Sequence, residues 1–504
     1  MAISLRLLFS FFSIVASVSG LTPAQWRQQS IYQVLTDRYA RANGDQSPCS
    51  NLADYCGGTW KGVTANLDYI QQMGFTAIWI SPVVKNPIIA SNDLPPDGNS
   101  YHGYWAQDAY SLNPKFGTTA DLKELSSELH SRGMYLMVDV VPNHMGSVSS
   151  QTAVDYSLLN PFNKQSYFHP PCGPIDYHND TSIKQCWLGS NNVALPDLKT
   201  ENSTVASMWG DWISSLVANY SIDGLRIDTA QQINTGFWND FQNSAGGIHT
   251  LGEVFVTDAK TMCPYQNYLH GLLNYVSFDY IRKAFQSTSG SIQNLVDNVN
   301  TMKGTCHDVT LLGSFIENHD NSRFPSIVQN KDIVLIRTAI TFAMLQDGIP
   351  IIYQGQEQEY TGSDTPANRA PLWTSNYNKT ANLYLHIQNV NKLRTWAIHQ
   401  DATWLTYNAY PIYNDTQTVV MRKGYDGKQV VGVYSNSGSS GATRTITVSS
   451  AKSGFTAGQK ITEGLRCQAL TADSKGNLGV VISGGSPSVL YPTAGLAGSG
   501  ICGL

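Results

Sequence analysis

The chain alternates between short apolar runs and longer amphipathic segments over most of its length. The apolar runs are rich in β-branched and aromatic residues, which favours strands; they are 31–35, 75–80, 135–141, 224–227, 250–255, 311–316 and 349–353. One intervening segment has a clear helical pattern, with Thr119 as the candidate cap and Gly133 at the end. Its apolar side chains Leu122, Leu125 and Leu129 share one face. Strands that alternate with helices predict a parallel sheet.

Two stretches interrupt this alternation. Residues 143–197 are rich in Asn, Pro, Tyr and His, which indicates a long loop enlarged into a small subdomain after the third strand. From residue 401 onward, short strands at 418–421, 429–433 and 445–448 are separated by Gly/Ser turns, which predicts a separate antiparallel β domain.

The fold class follows from the number of strands. About eight strands favour an α/β protein with a (β/α)8 TIM barrel over an open doubly wound sheet. The sequence contains no glycine-rich dinucleotide loop, which further weakens the open-sheet alternative. We therefore predict a barrel made of residues 21–142 and 198–400, an inserted subdomain at 143–197 and a C-terminal domain at 401–504.

Composition excludes two classes of protein. Hydrophobic residues make up 42% and charged residues 14% of the 504 residues, so the chain is not mainly disordered. Lys and Arg total 32 against 37 Asp and Glu, and no basic run is interleaved with aromatics, which argues against nucleic acid as a partner. A surface rich in amides, hydroxyls and aromatic rings instead suits a neutral, hydroxyl-rich ligand such as a carbohydrate.

The first residues predict secretion. Residues 1–20 contain Arg6, an apolar run over 7–18 and small residues at their end, a pattern typical of a cleaved signal peptide. The run is shorter than the roughly 20 residues that span a bilayer, and residues 498–504 lack the apolar tail of a lipid-anchor signal. We expect an extracellular protein without a membrane partner. Sequons that allow N-glycosylation occur at Asn179, Asn202, Asn219, Asn378 and Asn414.

The eight cysteines agree with secretion, because they are even in number and clustered along the chain. Many connectivities are possible, and proximity in sequence favours four disulfides. A zinc site is disfavoured, since no close Cys/His cluster has ligand spacing. The predicted pairs are Cys49 with Cys56, Cys172 with Cys186, Cys263 with Cys306, and Cys467 with Cys502.

Three carboxylates stand where apolar strands end, which in a barrel is where reactive groups gather. Asp228 and Glu253 each end a strand, and Asp320 closes the segment 317–320 after another. Arg226 lies two residues before Asp228, on the same strand face, where its charge would hold that carboxylate ionised and oriented. Glu253 stands in a more apolar stretch and is the better candidate for a protonated acid. Each could be a capping or salt-bridging carboxylate, but the three together match a retaining glycosidase.

Four ordered segments resemble the four signature regions of the α-amylase family of glycoside hydrolases. They are 139–144 (DVVPNH), 224–228 (GLRID), 252–254 (GEV) and 317–320 (ENHD). The likeness extends from Thr22 to the C terminus, includes the cysteine pairs, and is closest to secreted fungal members of the Taka-amylase type. It implies a barrel, a subdomain after the third strand and a C-terminal β-sandwich.

The resemblance also implies roles for single residues. Asp228 matches the family's nucleophile, Glu253 its general acid and base, and Asp320 its transition-state stabiliser. Tyr104 and Trp105 match aromatic residues of the family's active-site cleft. The alternative for these two side chains is that they belong to the hydrophobic core. Other residues match positions of the family that bind sugar: His144, Arg226, His319, Asp364 and Arg369. The region that contains Asp364 and Arg369 has one residue more than the family pattern.

The chain departs from the family pattern at two places. Most relatives have Lys and His where this chain has Gln231 and Gln232, so contacts to the leaving-group sugars should change. The family's calcium site maps to Asn143, Asp197 and the backbone carbonyl of Gln232, but a fourth ligand position, a Glu in close fungal relatives, aligns with Lys184. An ammonium group cannot ligate calcium, so Asp180 or a nearby carbonyl would have to substitute. We expect calcium as the cofactor, bound more weakly.

These inferences predict a secreted, monomeric, retaining, endo-acting α-amylase that hydrolyses internal α-1,4 bonds of starch, glycogen and maltooligosaccharides. Gln231 and Gln232 motivate an alternative, a 4-α-glucanotransferase. They are matched to the part of the site that holds the leaving-group sugars, and this part determines whether water or a sugar attacks the glycosyl-enzyme. A third possibility is a non-catalytic glucan-binding wall protein on an inherited barrel, against which the complete set of carboxylates argues.

Overall fold

The computed structural model describes residues 20–504. The predicted signal peptide therefore lies outside the described residues, apart from Gly20. Within the described range, no helix combines the length and the apolar character needed to cross a membrane.

Eight parallel strands form a ring. They are β1 Ile31–Val34, β2 Ala77–Ile80, β3 Tyr135–Val140, β4 Gly224–Ile227, β5 His249–Gly252, β6 Gly271–Leu272, β7 Gly313–Ser314 and β8 Ile349–Tyr353. Hydrogen bonds join β6 to β5, β4, β3, β2, β1, β8 and β7 in that order. The remaining gap is closed by a parallel bridge between Leu273 and Gly313, beside which the Asn274 N–H donates to the Gly313 carbonyl at 2.9 Å. The predicted (β/α)8 barrel is confirmed.

The apolar runs of the sequence predicted the positions of most strands but not all of the strand ends. The fourth and eighth strands have the predicted bounds, whereas β5 ends at Gly252 and β7 at Ser314, so the runs 250–255 and 311–316 were too long. The extra apolar residues lie in loops, because an apolar run does not distinguish a strand from a loop that packs beside it. The sixth strand has two residues and no pattern of its own.

The helix that follows β2 begins at Thr119, the residue predicted as its cap, so the cap itself lies one residue earlier. Thr118, not Thr119, is the N-cap: its backbone is extended, and its side chain forms a reciprocal capping box with Asp121. Leu122, Leu125 and Leu129 are buried, as their spacing predicted. The α-helices of the chain are Pro23–Trp26, Thr36–Tyr39, Trp60–Ala65, Leu67–Gln72, Thr119–Ser131, Asp180–Gln185, Ser203–Tyr220, Trp238–Ser244, Ala259–Met262, Tyr275–Phe285, Ile292–Thr305, Phe324–Ile327, Ile333–Leu345, Asn382–Gln400 and Ser450–Ser453.

Two apolar layers stabilise the barrel. A large cluster fills the space between the strands and the surrounding helices. A smaller cluster contains side chains at alternate positions of the strands, as expected for a filled barrel interior, and includes Ile31, Ala77, Trp79, Met137, Leu251, Ile349 and Ile351. Polar side chains, Asp139 and Arg226 among them, follow along β3 and β4 toward their carboxyl ends, so the site rests on a packed floor.

The segment between β3 and β4 contains little regular structure. Two short strands, Leu188–Gly189 and Ala194–Leu195, pair antiparallel, and the helix Asp180–Gln185 precedes them. A second antiparallel pair, Val84–Lys85 with Asp108–Leu112, follows β2.

All four predicted disulfides are present: Cys49–Cys56, Cys172–Cys186, Cys263–Cys306 and Cys467–Cys502. The domain boundaries drawn from the sequence stay a prediction.

The C-terminal part is an antiparallel β-sandwich. Six strands form one sheet and two form a second, and one apolar cluster contains residues of both sheets, such as Val433 and Val480. The three strands predicted here each correspond to an observed one. The strands are Tyr410–Asn414, Thr418–Lys423, Val430–Ser435, Arg444–Val448, Lys460–Glu463, Gln468–Thr471, Leu478–Ile482 and Ser488–Pro492.

Candidate active site

A cleft of about 350 Å³ lies at the carboxyl ends of the barrel strands. One wall comes from the strand pair Leu188–Gly189 and Ala194–Leu195, so the segment after β3 shares in forming it. Most predicted site residues meet here. The lining residues are His102, Tyr104, Trp105, His144, Leu188, Gly189, Leu195, Asp228, Thr229, His319, Asp320 and Arg369.

Arg226 organises three carboxylates at the base of this cleft. Its Nη1 donates to Asp228 Oδ1 at 2.6 Å and to the two oxygens of Asp139 at 3.0 and 3.1 Å. Its Nη2 lies 2.9 Å from Glu253 Oε1. Strand register explains the arrangement, because Arg226 is paired with Asp139 on β3 and precedes Asp228 by two residues. The guanidinium side chain is 1% exposed, so water screens these contacts little.

The cluster has more acidic than basic groups, because three carboxyl groups surround a single guanidinium. Burial and the charges of Glu253 and Asp139 raise the pKa of Asp228 above its usual value, although Arg226 opposes this. Burial likewise raises the pKa of Asp139 to about 6 against the effect of Arg226. Arg226 therefore orients Asp228 and opposes the rise in its pKa. Three carboxylates around one cation favour retention of a proton within the cluster near neutral pH.

Glu253 is held by hydrogen-bond donors from two parts of the chain. The Thr229 N–H donates to Oε2 at 3.0 Å, and the Tyr275 hydroxyl donates to Oε1 at 3.1 Å. Thr229 holds its amide there in the left-handed conformation, with φ of 47°, which is strained for a β-branched residue. That Glu253 is the protonated acid stays a prediction.

Asp320 lies at the more open side of the cleft. Its side chain is 35% exposed, against 10% for Asp228. Arg369 Nη2 donates to Asp320 Oδ1 at 3.1 Å, and Arg369 Nε donates to the His319 carbonyl at 2.8 Å. Burial and the charge of Arg369 lower the pKa of His319, so its ring is neutral. Arg369 thus fixes the loop that carries both residues.

Tyr104 is an aromatic of the cleft wall rather than of the core. Its ring stacks on His319, with centroids 5.1 Å apart and planes 3° apart, and its hydroxyl donates to Asp139 Oδ2 at 2.8 Å. Trp105 is buried but also lines the cleft. His144 Nε2 lies 3.2 Å from the Tyr104 carbonyl oxygen, and burial lowers the His144 pKa to about 4.

Three predicted substrate-binding residues lie apart from this group. Asp364 is exposed and does not line the cleft. Gln231 and Gln232 are buried in the 3₁₀ turn Ala230–Gln232, and neither lines the cleft; the Tyr265 hydroxyl donates to the Gln231 carbonyl at 3.2 Å. Sugar contact by these three side chains stays a prediction.

The predicted calcium ligands fit a hard cation. Asn143 and Asp197 are both buried, and the Leu198 N–H donates to the Asn143 carbonyl at 2.9 Å, which holds their segments together. Asp197 Oδ2 lies 2.7 Å from His169 Nδ1, whereas its buried Oδ1 has no hydrogen-bond partner among residues 20–504. A buried carboxylate oxygen without a hydrogen-bond partner suits a hard cation such as Ca²⁺.

Lys184 leaves Asp180 unfit as the substitute ligand. Lys184 Nζ lies 3.3 Å from Asp180 Oδ1, and the Asp180 side chain is 79% exposed. In the described part of the chain, no group of three or more His, Cys, Asp or Glu side chains could hold a metal ion. The predicted set contains only one such side chain, Asp197, so amide and carbonyl oxygens would have to complete it.

Sequence reasoning missed four residues that contact the predicted ones. Asp139 opens the segment 139–144 and could have been found, because a strand-end carboxylate in register with Arg226 is an obvious ion-pair partner. Thr229, Tyr275 and Asn318 carry no pattern that marks them, since their contacts with Glu253 or with each other join separate loops.

Comparison with known proteins agrees with this geometry. Residues 33–463 match the family model described as "Alpha amylase, catalytic domain". Alpha-amylase 2 of Schwanniomyces occidentalis is 47% identical over 95% of this chain and 93% of its own length, and Alpha-amylase 1 of Lipomyces kononenkoae is 49% identical over 97% and 77%. A solved α-amylase from Malbranchea cinnamomea superposes with a TM-score of 0.91 at 44% identity, covering 96% of this chain and all of the other.

Proposed function

Because this chain belongs to the α-amylase family of glycoside hydrolases, we propose that it is a retaining, endo-acting α-amylase of starch, glycogen and maltooligosaccharides. The observation that carries this proposal is the Arg226 cluster, which brings Asp228 and Glu253 to one guanidinium beside a cleft lined by Asp320. Two carboxylates with a third beside them suit cleavage of an internal α-1,4 bond with retention of configuration.

In the first step Glu253 gives its proton to the glycosidic oxygen while Asp228 attacks the anomeric carbon. Asp228 Oδ1 accepts the short hydrogen bond from Arg226, whereas Oδ2 accepts a longer one, of 3.2 Å, from the Thr229 hydroxyl. Oδ2 is therefore the better nucleophile. The bond to the leaving sugar breaks as the bond to Asp228 forms, which yields a covalent glycosyl-enzyme and an ionised Glu253.

In the second step Glu253 takes a proton from water, and the oxygen of that water attacks the anomeric carbon. Asp228 leaves as a carboxylate, Glu253 is protonated again, and two inversions give net retention. Asp320 supports both steps by placing negative charge near the oxocarbenium-like carbon. Its contacts with Arg369 and His319 hold it in position for this role.

The remaining cleft residues bind the sugar in this proposal. His144, His319 and Arg369 supply hydrogen bonds around the bond that is cleaved, and the Tyr104 ring supplies an apolar face. Arg226 lies beneath the cleft, so its predicted part in sugar binding is to hold Asp228 in position. A solved α-amylase from Geobacillus thermoleovorans was crystallised with acarbose and superposes with a TM-score of 0.79 at 27% identity, over 92% of this chain and 98% of the other. This likeness supports a glucan-type ligand in the cleft.

Calcium would be held by Asn143, Asp197 and the carbonyl of Gln232. When bound, the ion would neutralise the buried Asp197 and fasten the segment after β3 to the turn after β4. This chain's own residues prepare that role: Asn143 precedes the cleft residue His144, and Gln232 follows Asp228 by four residues. The absence of a carboxylate at Lys184 weakens the site.

We further propose that the protein acts outside the cell as a monomer, without nucleic acid or membrane partners. Four disulfides support an oxidising compartment, in which such bonds persist.

The test is the product distribution over time from purified protein given maltoheptaose. The proposal expects only shorter products, released as the α-anomer and detected by chromatography and NMR. Products longer than the substrate would show transfer to a sugar acceptor, and a β-anomer would contradict retention. If the protein bound maltoheptaose without cleaving it, the catalytic assignment would be wrong.

A further inference from the structure

Tyr275 connects the proposed acid to the loop that carries Asp320. It begins the helix Tyr275–Phe285, three residues after β6, and is 2% exposed. Its hydroxyl lies 3.1 Å from Glu253 Oε1 and 2.8 Å from Asn318 Nδ2. The rings of Phe255 and Phe315 contact the Tyr275 ring edge-to-face, with centroids 4.5 and 5.1 Å apart, so packing holds the hydroxyl in place.

The donors and acceptors of this chain of contacts can be assigned. Asn318 Oδ1 accepts from the Asp320 N–H at 3.1 Å and from the Asn321 N–H at 3.0 Å, which fixes the amide so that its NH₂ group faces Tyr275. An amide nitrogen only donates, so the Tyr275 oxygen accepts, and its single proton remains for Glu253. Burial and the charge of Glu253 raise the Tyr275 pKa, which keeps that proton on the phenol.

The lone pairs of Glu253 then decide where its own proton resides. Each carboxyl oxygen accepts two hydrogen bonds in its plane. Oε1 accepts from Tyr275 and lies 2.9 Å from the Arg226 cation, which disfavours a proton on this oxygen, whereas Oε2 accepts from the Thr229 N–H and has a position left for a proton. We propose that Tyr275 and Asn318 are positioning residues that confine the transferable proton of Glu253 to Oε2.

This inference deepens the proposed function and rests on Glu253 being the general acid. In the step concerned, the proton on Oε2 moves to the glycosidic oxygen as the carbon–oxygen bond breaks, and Oε1 keeps its hydrogen bond from Tyr275 and its ion pair with Arg226 throughout. Tyr275 also stabilises the carboxylate that this transfer leaves behind. Because Asn318 binds both the Asp320 backbone and Tyr275, one side chain sets the acid and the proposed stabiliser together.

The test compares two leaving groups. A sugar leaving group needs a proton from the acid, whereas 2-chloro-4-nitrophenolate departs with little help. We expect Tyr275→Phe to lower kcat/KM for maltoheptaose by about 10- to 100-fold, the effect of one hydrogen bond to a charged group. The kcat/KM for 2-chloro-4-nitrophenyl maltotrioside should fall less than about 3-fold. The alkaline limb of the maltoheptaose pH profile should move to higher pH, since the ionised acid loses a donor.

Two further variants isolate the effect. Asn318→Asp keeps the oxygen that accepts from the Asp320 loop but removes the donor to Tyr275, whose proton can then turn away from Glu253. It should show the same dependence on the leaving group, with little further loss in the Tyr275→Phe background. The matched control is Tyr32→Phe, because the Tyr32 hydroxyl donates to Glu357 at 2.8 Å and both residues are buried outside the cleft. The control should leave the ratio between the two substrates unchanged.

The outcomes separate this inference from the function on which it rests. Glu253→Gln must itself lower kcat/KM far more for maltoheptaose than for the aryl substrate; otherwise the acid is wrongly assigned. If Glu253→Gln behaves so, but Tyr275→Phe affects both substrates equally or neither, only the positioning role is overturned. If Tyr275→Phe fails to fold by circular dichroism, the Asn318→Asp result decides in its place.

Discussion

Asp139 and Arg226 face each other across the third and fourth barrel strands, with Arg226 Nη1 3.0 and 3.1 Å from the two carboxylate oxygens of Asp139. Asp139 also accepts from Trp79 Nε1 at 3.0 Å and from the Tyr104 hydroxyl at 2.8 Å. It is therefore the anchor that sets the direction of the guanidinium toward Asp228 and Glu253. The site depends on a carboxylate that has no part in the proposed chemistry.

Asp139→Ala should damage both stability and activity. The change leaves Arg226, Trp79 and Tyr104 without their buried acceptor, and breaking a buried ion pair of this kind costs about 3–5 kcal/mol. Urea unfolding should show that loss, and turnover of maltoheptaose should fall at least about 100-fold. Asp45→Ala is the control, because its pair with Arg41 is exposed on the Asp45 side and should contribute little to stability. Equal losses in the two variants would contradict the anchoring role.

Asp228→Asn and Glu253→Gln should each lower turnover by several orders of magnitude while the fold is kept. Each variant removes one reacting group but preserves size and most hydrogen bonds. Steady-state kinetics on soluble starch, with melting temperature as the check on folding, measures both effects. Asp240→Asn, at an exposed position on the helix Trp238–Ser244, should retain full activity. Near-normal turnover in either catalytic variant would refute the assignment.

His130 should make part of the stability depend on pH. Its hydrogen bond to Asp223, 2.8 Å long, raises the His130 pKa above its ordinary value in spite of partial burial. A histidine whose folded pKa is raised stabilises the fold fully below the unfolded pKa and loses that effect as pH rises through the folded pKa. The melting temperature of the wild type should therefore exceed that of His130→Gln more at about pH 5 than at about pH 9. His178→Gln, at an exposed site, should show no such trend.

Calcium should stabilise the protein through Asp197. Chelation with EGTA should lower the melting temperature of the wild type, and Asp197→Asn should remove most of that response, since Oδ1 loses its charge. Lys184→Glu should enlarge the response, because it replaces an ammonium group by a carboxylate and leaves two like charges near Asp180 for the ion to relieve. Isothermal titration with CaCl₂ measures the affinity directly. An unchanged response in Lys184→Glu would place that residue away from the ion.

The parts of the site that were predictable lie on regular strands. Asp228 follows Arg226 with the alternation of a strand, so their shared face could be inferred from spacing. Tyr275 contacts both Glu253 and Asn318, which lie in other parts of the chain, and no local pattern encodes such contacts. The same limit explains the missed sixth strand, because an apolar pattern along the chain does not report neighbours in space.

The barrel ring has one thin seam. Strands β6 and β7 have two residues each, and a single bridge between Leu273 and Gly313 joins them. Few ladder hydrogen bonds make such a junction the first to open in local fluctuations. Tyr275 follows one side of the seam and the Asp320 loop follows the other. On heating, catalytic activity should therefore be lost before the barrel unfolds. The backbone amide hydrogens at the seam should exchange with solvent faster than those of the other barrel strands.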